Sequence, residues 1–434
     1  MIGQIFFIIM VVAAIALFTI NVRKIIRNIR LGRPIDRSDR PSERLKVMLK
    51  VAFGQSKMVK RPVAAVLHFF VYAGFIIINL EVLEIALDGL FGTHRIFAGI
   101  GPLYGFLIGS FEILALLVLA ACVIFLIRRN ILKVRRFSGT EMTSWPRSDA
   151  NYILTAEILL MTAFLFMNAA DHKLQLMGAE HYIKAGAYPV SFMLAPLLPD
   201  TQNSLIFIER FCWWFHIAGI FAFLNYLPYS KHFHIILAFP NTYFSYLKPK
   251  GEFTNMASVT NEVKAMLDPS FTPEPVADGG RFGAKDVTDL HWKNLMDAYT
   301  CTECGRCTSS CPANITGKLL SPRKIMMDTR DRLEEVGRNI DKHGAGHQDG
   351  KSLLDDYISR EEIWACTTCN ACTEACPVNI DPLSIIMELR RYAVMEEAQA
   401  PNSLNAMFGN VENNAAPWKY SPADRLNWAR PENV

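Results

Sequence analysis

The sequence predicts an all-α protein in two parts: a five-helix transmembrane bundle, N-terminus out and C-terminus in, followed by a cytoplasmic α-helical domain. Three observations carry this expectation. Apolar residues make up 51% of the chain and give a mean hydropathy of +0.17, and they concentrate in five runs of the length that crosses a bilayer, about 20 residues. Basic residues crowd two of the four connections between those runs. The second half is polar, holds the cysteine groups, and shows helical rather than alternating apolar spacing.

The five runs are 2–20, 63–87, 103–127, 153–170 and 205–227. Thirteen Lys/Arg lie between the first two, from Arg23 to Arg61. Six lie between the third and fourth: Arg128, Arg129, Lys133, Arg135, Arg136 and Arg147. The other connections hold Arg95 alone, and Lys173 with Lys184. Positive charge stays in the cytoplasm, which sets the orientation. No basic residue precedes the first run and its charges follow it, the reverse of a secretion signal, so it reads as an anchor. The expected division is a membrane domain at 1–240, a Pro/Gly-broken linker at 241–284, a soluble domain at 285–400 and a polar tail at 401–434. Helices are expected in DVTDLHWKNLMDAYT, SPRKIMMDTRDRLEEVG and DPLSIIMELRRYAVMEEA, with 339–352 as a polar loop.

The soluble part carries one internal repeat. CTECGRCTSSCP at 301–312 and CTTCNACTEACP at 366–377 share cysteine spacing, the threonine after the first cysteine and the closing proline. C-x2-C-x2-C-x3-C-P is the spacing of two-cluster bacterial ferredoxins, in which three thiolates wrap one [4Fe-4S] cube and the fourth ligates the other. This assigns Cys301, Cys304, Cys307 and Cys376 to one cluster, and Cys366, Cys369, Cys372 and Cys311 to the second. Structural zinc pairs two C-x-x-C knuckles and calls for neither the third cysteine nor the Cys-Pro. Cytoplasmic cysteines are unsuited to disulfides; Cys122 and Cys212, alone within spans, read as packing residues. The helical filling of 312–365 favours an α-helical ferredoxin-like domain over a compact βαβ unit.

Among ten histidines, His68 opens the second span and His234 closes the stretch PYSKHFHI after the fifth, both near the cytoplasmic face. A b-type haem takes axial ligands from facing helices at one depth, and this pair meets that condition. If Pro228 only kinks the fifth helix, His216 and His234, 18 positions apart (234 − 216), share one face with about 27 Å of rise, and His232 points roughly 160° from His216. His234 is thus the expected ligand, with His232 facing headgroups or the soluble domain. His216 lacks a mate, since the facing position on the second span falls near Ile78 and Asn79; His94 and His172 lie toward the outer surface. The plainer reading is a pair of interfacial histidines satisfied by water. Glu81, Glu84 and Glu112 sit inside spans, where carboxylates are costly and face pockets or proton paths. They are candidates for a quinone or proton site, against the alternative of a salt bridge with Arg210 or a helix-end residue.

With these motifs in place, the chain resembles membrane-bound iron–sulfur oxidoreductases related to heterodisulfide reductase, whose membrane domain is similar to the gamma subunit of respiratory nitrate reductase. The resemblance rests on the five N-out spans, His68 with YLPYSKHFHI, YTCTECGRCTSSCP followed by GKLLSPRKIM, and IWACTTCNACTEACPVNIDP. It continues into NVENNAAPWKYSPADRLNWA, which looks like the segment preceding cysteine-rich CCG domains. The resemblance implies a haem-b and quinone module joined to a two-cluster electron wire in the bacterial cytoplasmic (inner) membrane. Cys376 is the last cysteine, so it also implies that a CCG subunit is supplied separately. Among relatives the electron-transfer-flavoprotein:menaquinone branch is expected. Lactate, glycolate or glycerol-3-phosphate dehydrogenase complexes and heterodisulfide-type reductases are the alternatives within the class, and a haem-free anchor is the alternative outside it. Trp418, Arg425 and Trp428 are expected to dock the partner protein, since aromatic and arginine anchors typify interface hot spots.

Overall fold

A computed structural model describes residues 2–249, 251–273 and 281–429. Among these residues the protein is all-α, with two isolated bridges (Arg33 to His291, Leu354 to Ile358) and no strand. Five helices are long and apolar enough to cross a membrane: α1 Ile2–Ile29, α2 Pro62–Phe91, α3 Pro102–Leu126, α4 Ser144–Leu176 and α5 Gln202–Tyr226. Proline opens α2 and α3, where its fixed φ suits a helix start and its missing N–H costs nothing. Ile5, Phe6, Ile9 and Val12 of α1 are exposed, as lipid-facing side chains are, whereas Phe7 is fully buried against Trp213. Gly89 of α2 allows this: a Cβ there would stand 2.7 Å from the Phe7 ring.

The fifth helix does not run on to His234. It ends at Tyr226, passes through a tight turn at Leu227–Tyr229, and breaks at Ser230, whose backbone is extended (φ −115°, ψ 151°). A new helix, α6, spans His234–Tyr243. Pro228 brings no N–H to continue the ladder, and buried Asp149 of α4 captures the donors at the break. Its carboxylate accepts from Ser230 Oγ at 2.8 Å, the Lys231 amide at 3.2 Å and Tyr226 OH. The five-turn spacing between His216 and His234 is therefore lost.

The stretch expected as linker begins inside α6 and holds α7, Ala257–Leu267; its residues 274–280 lie outside the described residues. The soluble domain contains α8 Trp292–Thr300, α9 Pro322–His343 and α10 Pro382–Met395, followed by α11 Asn402–Asn414. Ser321 and Asp381 cap α9 and α10, each just before a proline. α9 runs into the stretch expected as a loop, because Gly337 packs on Asn28 instead of ending the helix.

This domain is seated on the membrane helices. One core joins Ile25, Ala52, Leu227 and Phe233 to Leu295, Ile325 and Leu389. Asn28 donates to Tyr299 OH at 2.9 Å, and Arg33 and Trp292 exchange with Leu290 and Arg33 at 2.7 and 3.1 Å. Asn241 Nδ2 donates to the Val378 carbonyl at 3.0 Å. Arg44, 1% exposed, donates to the carbonyls of Tyr243 and Ser245.

Candidate electron-transfer sites

The sequence repeat is also a backbone repeat. Glu303 and Gly305 take positive φ (54° and 68°), and so do Thr368 and Asn370 (56° and 59°). Each loop then enters a short helix, Arg306–Ser310 or Ala371–Ala375, and the two helices pack together. Cys376 lines one small cavity with Cys301, Cys304 and Cys307. Cys311 and Cys369 lie close enough to Cys366 to add to the upward push that burial gives its thiol. Burial pushes the thiols of Cys301, Cys372 and Cys376 up to about 12, so thiolate there requires a bound metal. Backbone amides of Thr368 and Ile380 point at the sulfurs of Cys366 and Cys376, at 3.4 and 3.3 Å.

The donor set, thiols alone in each group, suits iron–sulfur clusters. Among the described residues no three His, Cys, Asp or Glu side chains converge as ligands of one ion would, which for zinc means sulfurs about 2.3 Å from a common point. A cube ligated at its corners holds its thiolates farther apart than one ion does, and four cysteines line the cavity of the first group.

His68, His232 and His234 meet at the junction. The rings of His232 and His234 stand edge to face at 5.5 Å, and His68 lies within electrostatic reach of both. Burial, with the His234 and His68 charges next, pushes His232 down to about 3. Burial lowers His234 against its hydrogen bond to Lys231. Burial thus favours the neutral form of both rings, the form that ligates metal. What separates them is a hydrogen bond rather than helical phase. His234 Nδ1 lies 3.0 Å from the Lys231 carbonyl; a carbonyl only accepts, so Nδ1 carries the proton and Nε2 keeps its lone pair, as in metal-ligating histidines. His216 has the same arrangement, with Nδ1 2.9 Å from the Leu160 carbonyl.

Lys231 links these histidines to the first cysteine loop: its ammonium pairs with Glu303, inside C-x2-C, and Arg330 donates to the same carboxylate at 2.8 Å. Glu81, Glu84 and Glu112 are buried, but their surroundings differ from the expectation. Arg210 pairs with its neighbour Glu209. Arg95 folds inward instead, bonding Glu81 and Asp171 at 2.9 Å each and Asn168 at 2.6 Å. Glu84 accepts from Tyr104 OH at 2.7 Å and lines a cleft with His94, Arg95, Asp171, Trp213 and Trp214. Glu112 accepts from the amides of Val190 and Ser191 at 2.9 and 3.1 Å, so it anchors the loop after α4 and does not line that cleft.

Sequence reasoning missed Asp149, Lys231, Glu303, Arg95 and Asp171. Glu303 was marked by its place between two cysteines and Lys231 by its place beside the histidines; the others read as ordinary loop or helix-end charges. In the tail, Trp418 and Trp428 remain 62% and 73% exposed, so neither folds back on the cysteine domain.

Residues 300–380 match the 4Fe-4S dicluster domain. Over 97% of its length the chain is 29% identical to the "Probable iron-sulfur-binding oxidoreductase FadF" of Bacillus subtilis, and over 91% it is 27% identical to the "EtfAB:quinone oxidoreductase" of Syntrophomonas wolfei. The homologues of this chain are iron–sulfur oxidoreductases. It spans 60% and 55% of the length of those two relatives. A segment covering 24% of the chain is 36% identical to one of the subunits of a CoB-CoM heterodisulfide reductase from Methanosarcina acetivorans, over 52% of that protein. No solved structure matches the chain.

Proposed function

We propose that the chain is a membrane electron-transfer subunit of an oxidoreductase, passing electrons between a cytoplasmic redox partner and menaquinone. In this reading it lies in the bacterial cytoplasmic membrane with its N-terminus out and the cysteine domain inside. Cys301, Cys304, Cys307 and Cys376 hold one [4Fe-4S] cluster; Cys366, Cys369, Cys372 and Cys311 hold the other. His68 and His234 hold a haem b, with His216 as the candidate for a second. Haem supplies one-electron chemistry; the chain keeps the His234 imidazole neutral and fixes its tautomer through the Lys231 carbonyl. Glu81 and Glu84, with Arg95, handle protons at the quinone end, while Glu112 positions the loop after α4. The partner is a CCG-type iron–sulfur protein docked through Trp418, Arg425 and Trp428, with an electron-transfer flavoprotein behind it.

The observation that carries this reading is Lys231. Its carbonyl accepts from His234 and its ammonium pairs with Glu303 between Cys301 and Cys304, so one residue ties the histidine group to the first cysteine group. A haem-free anchor with a tethered iron–sulfur domain is the competing reading. A dithionite-reduced minus oxidised spectrum of the purified protein separates them. The proposal expects a sharp b-haem α band together with about eight non-haem irons. Clusters without that band would leave the anchor.

A further inference from the structure

The two cysteine groups sit in unlike electrostatic surroundings. Arg136, in the connection between α3 and α4, lies on the backbone of the first loop. Its carbonyl accepts from Arg323 Nη1 at 2.6 Å, and a Cβ on Gly305 would stand 3.0 Å from that carbonyl and 3.5 Å from Arg136 Cβ. Its guanidinium lies over Phe137 at 4.8 Å, and its Nε and Nη1 are buried without a hydrogen-bond partner among the described residues. Buried unpartnered donors are costly, and the charge that favours this cation most is Cys304. Arg306 lines the cavity of the first group and donates to the Lys57 carbonyl at 3.1 Å. Glu303 is the acid nearby, and Lys231 and Arg330 both pair with it.

Around the second group the balance is different. Arg390, spread over Trp364 at 4.9 Å, already donates to the Ile363 carbonyl at 2.7 Å, and Lys57 donates to the Thr373 carbonyl at 3.4 Å. Asp381, occupied in capping α10, adds negative charge beside Cys372. Cys369 is exposed. Reduction adds one electron to a cube that its four thiolates already make anionic, so nearby unpaired cations raise its potential and carboxylates lower it, more strongly where water is excluded. Water works in favour of the second group at exposed Cys369, and reaches Cys366 of that group and Cys304 and Cys307 of the first only in part. Cations flank Cys301, Cys304 and Cys376 of the first.

We infer that Arg136, with Arg306, holds the cluster of Cys301, Cys304, Cys307 and Cys376 at a higher reduction potential than the cluster of Cys366, Cys369, Cys372 and Cys311. Electrons entering at the exposed Cys369 side then settle toward the membrane. This rests on the reading of the two groups as cluster ligands. Arg136 acts as a positioning residue for charge: it belongs to the membrane part, so the potential order exists only while the two parts are docked.

The test is a potentiometric EPR titration of the full-length protein in detergent, with iron and sulfide content measured alongside. Arg136→Met should lower the potential of one signal, and that signal should be the higher one in the unaltered protein. Arg390→Met should lower the other, and Arg136→Lys should keep the original order. The inference is overturned if Arg136→Met shifts the lower-potential signal, shifts both equally, or shifts neither while iron and sulfide stay intact. Should Arg136→Met fail to assemble clusters, Arg306→Met is judged by the same three outcomes. An unaltered protein lacking two cluster signals would instead refute the cluster assignment itself.

Discussion

At the scale of single residues, the cysteines and the histidines were legible to different degrees. A C-x2-C-x2-C-x3-C-P run places its ligands by local spacing, so the grouping of Cys376 with Cys301, Cys304 and Cys307 follows without knowledge of the fold. His234 could not be treated that way. Its orientation depends on the Lys231 carbonyl and on a chain break stabilised by Asp149, which is 82 positions before Lys231 in sequence (231 − 149). Helical phase pointed to His234 for a reason the fold removes; the hydrogen bond to Lys231 is what supports the proposal of His234 as a ligand. Two predictions belong here. Cys376→Ser should damage the cluster of Cys301, Cys304 and Cys307 and spare the other; EPR showing the opposite loss would reverse the ligand assignment. His68→Ala or His234→Ala should abolish the low-spin haem signal with cluster signals retained, whereas His232→Ala should keep the haem.

The helices themselves were readable from apolar runs, charge placement and prolines, because these are local properties. What joins the helices was not. Arg95 lies in a connection between spans and looks like a loop charge, yet it enters the bundle and meets Glu81 and Asp171. Only the fold, which brings Glu81 of α2 and Asp171 of α4 to the same guanidinium, makes that burial sustainable. The turn between α5 and α6 gives a test at this scale. Asp149→Ala strips the acceptor from Ser230, Lys231 and Tyr226; a buried donor left unsatisfied costs about 1–3 kcal/mol. Lower thermal stability and a reduced haem-to-protein ratio with cluster content unchanged are expected; unaltered haem content would show that the turn does not position His234. The first cysteine loop gives another. Gly305 sits at φ 68°, and a Cβ there would stand 2.7 Å from Arg323 Nη1. Gly305→Ala should destabilise by more than about 1 kcal/mol and deplete the first cluster before the second, measured as relative EPR intensity.

On the scale of the whole molecule, the cysteine domain packs directly on the membrane helices and shares a core with them. Basic residues of the membrane part hold the cysteine domain in place: Arg27 of α1 donates to the Gly337 carbonyl, Arg33 exchanges backbone hydrogen bonds with Leu290 and Trp292, and Arg136 lies against the first loop. The sequence showed these only as positive charge on one side of the spans. In the tail, Trp418 and Trp428 are presented to solvent. Deleting 401–434 should leave clusters and haem in place and release the partner on purification; an unchanged complex would show that the partner docks elsewhere. The central claim is that this chain carries electrons from its cysteine domain through the junction histidines to quinone. It is tested most directly in menaquinone-loaded vesicles, by reducing the reconstituted protein anaerobically and following cluster reoxidation. The account predicts prompt reoxidation in the unaltered protein and at least about a tenfold slower rate in His234→Ala with both clusters intact, about 1.4 kcal/mol in barrier. Equal rates in the two proteins would contradict it.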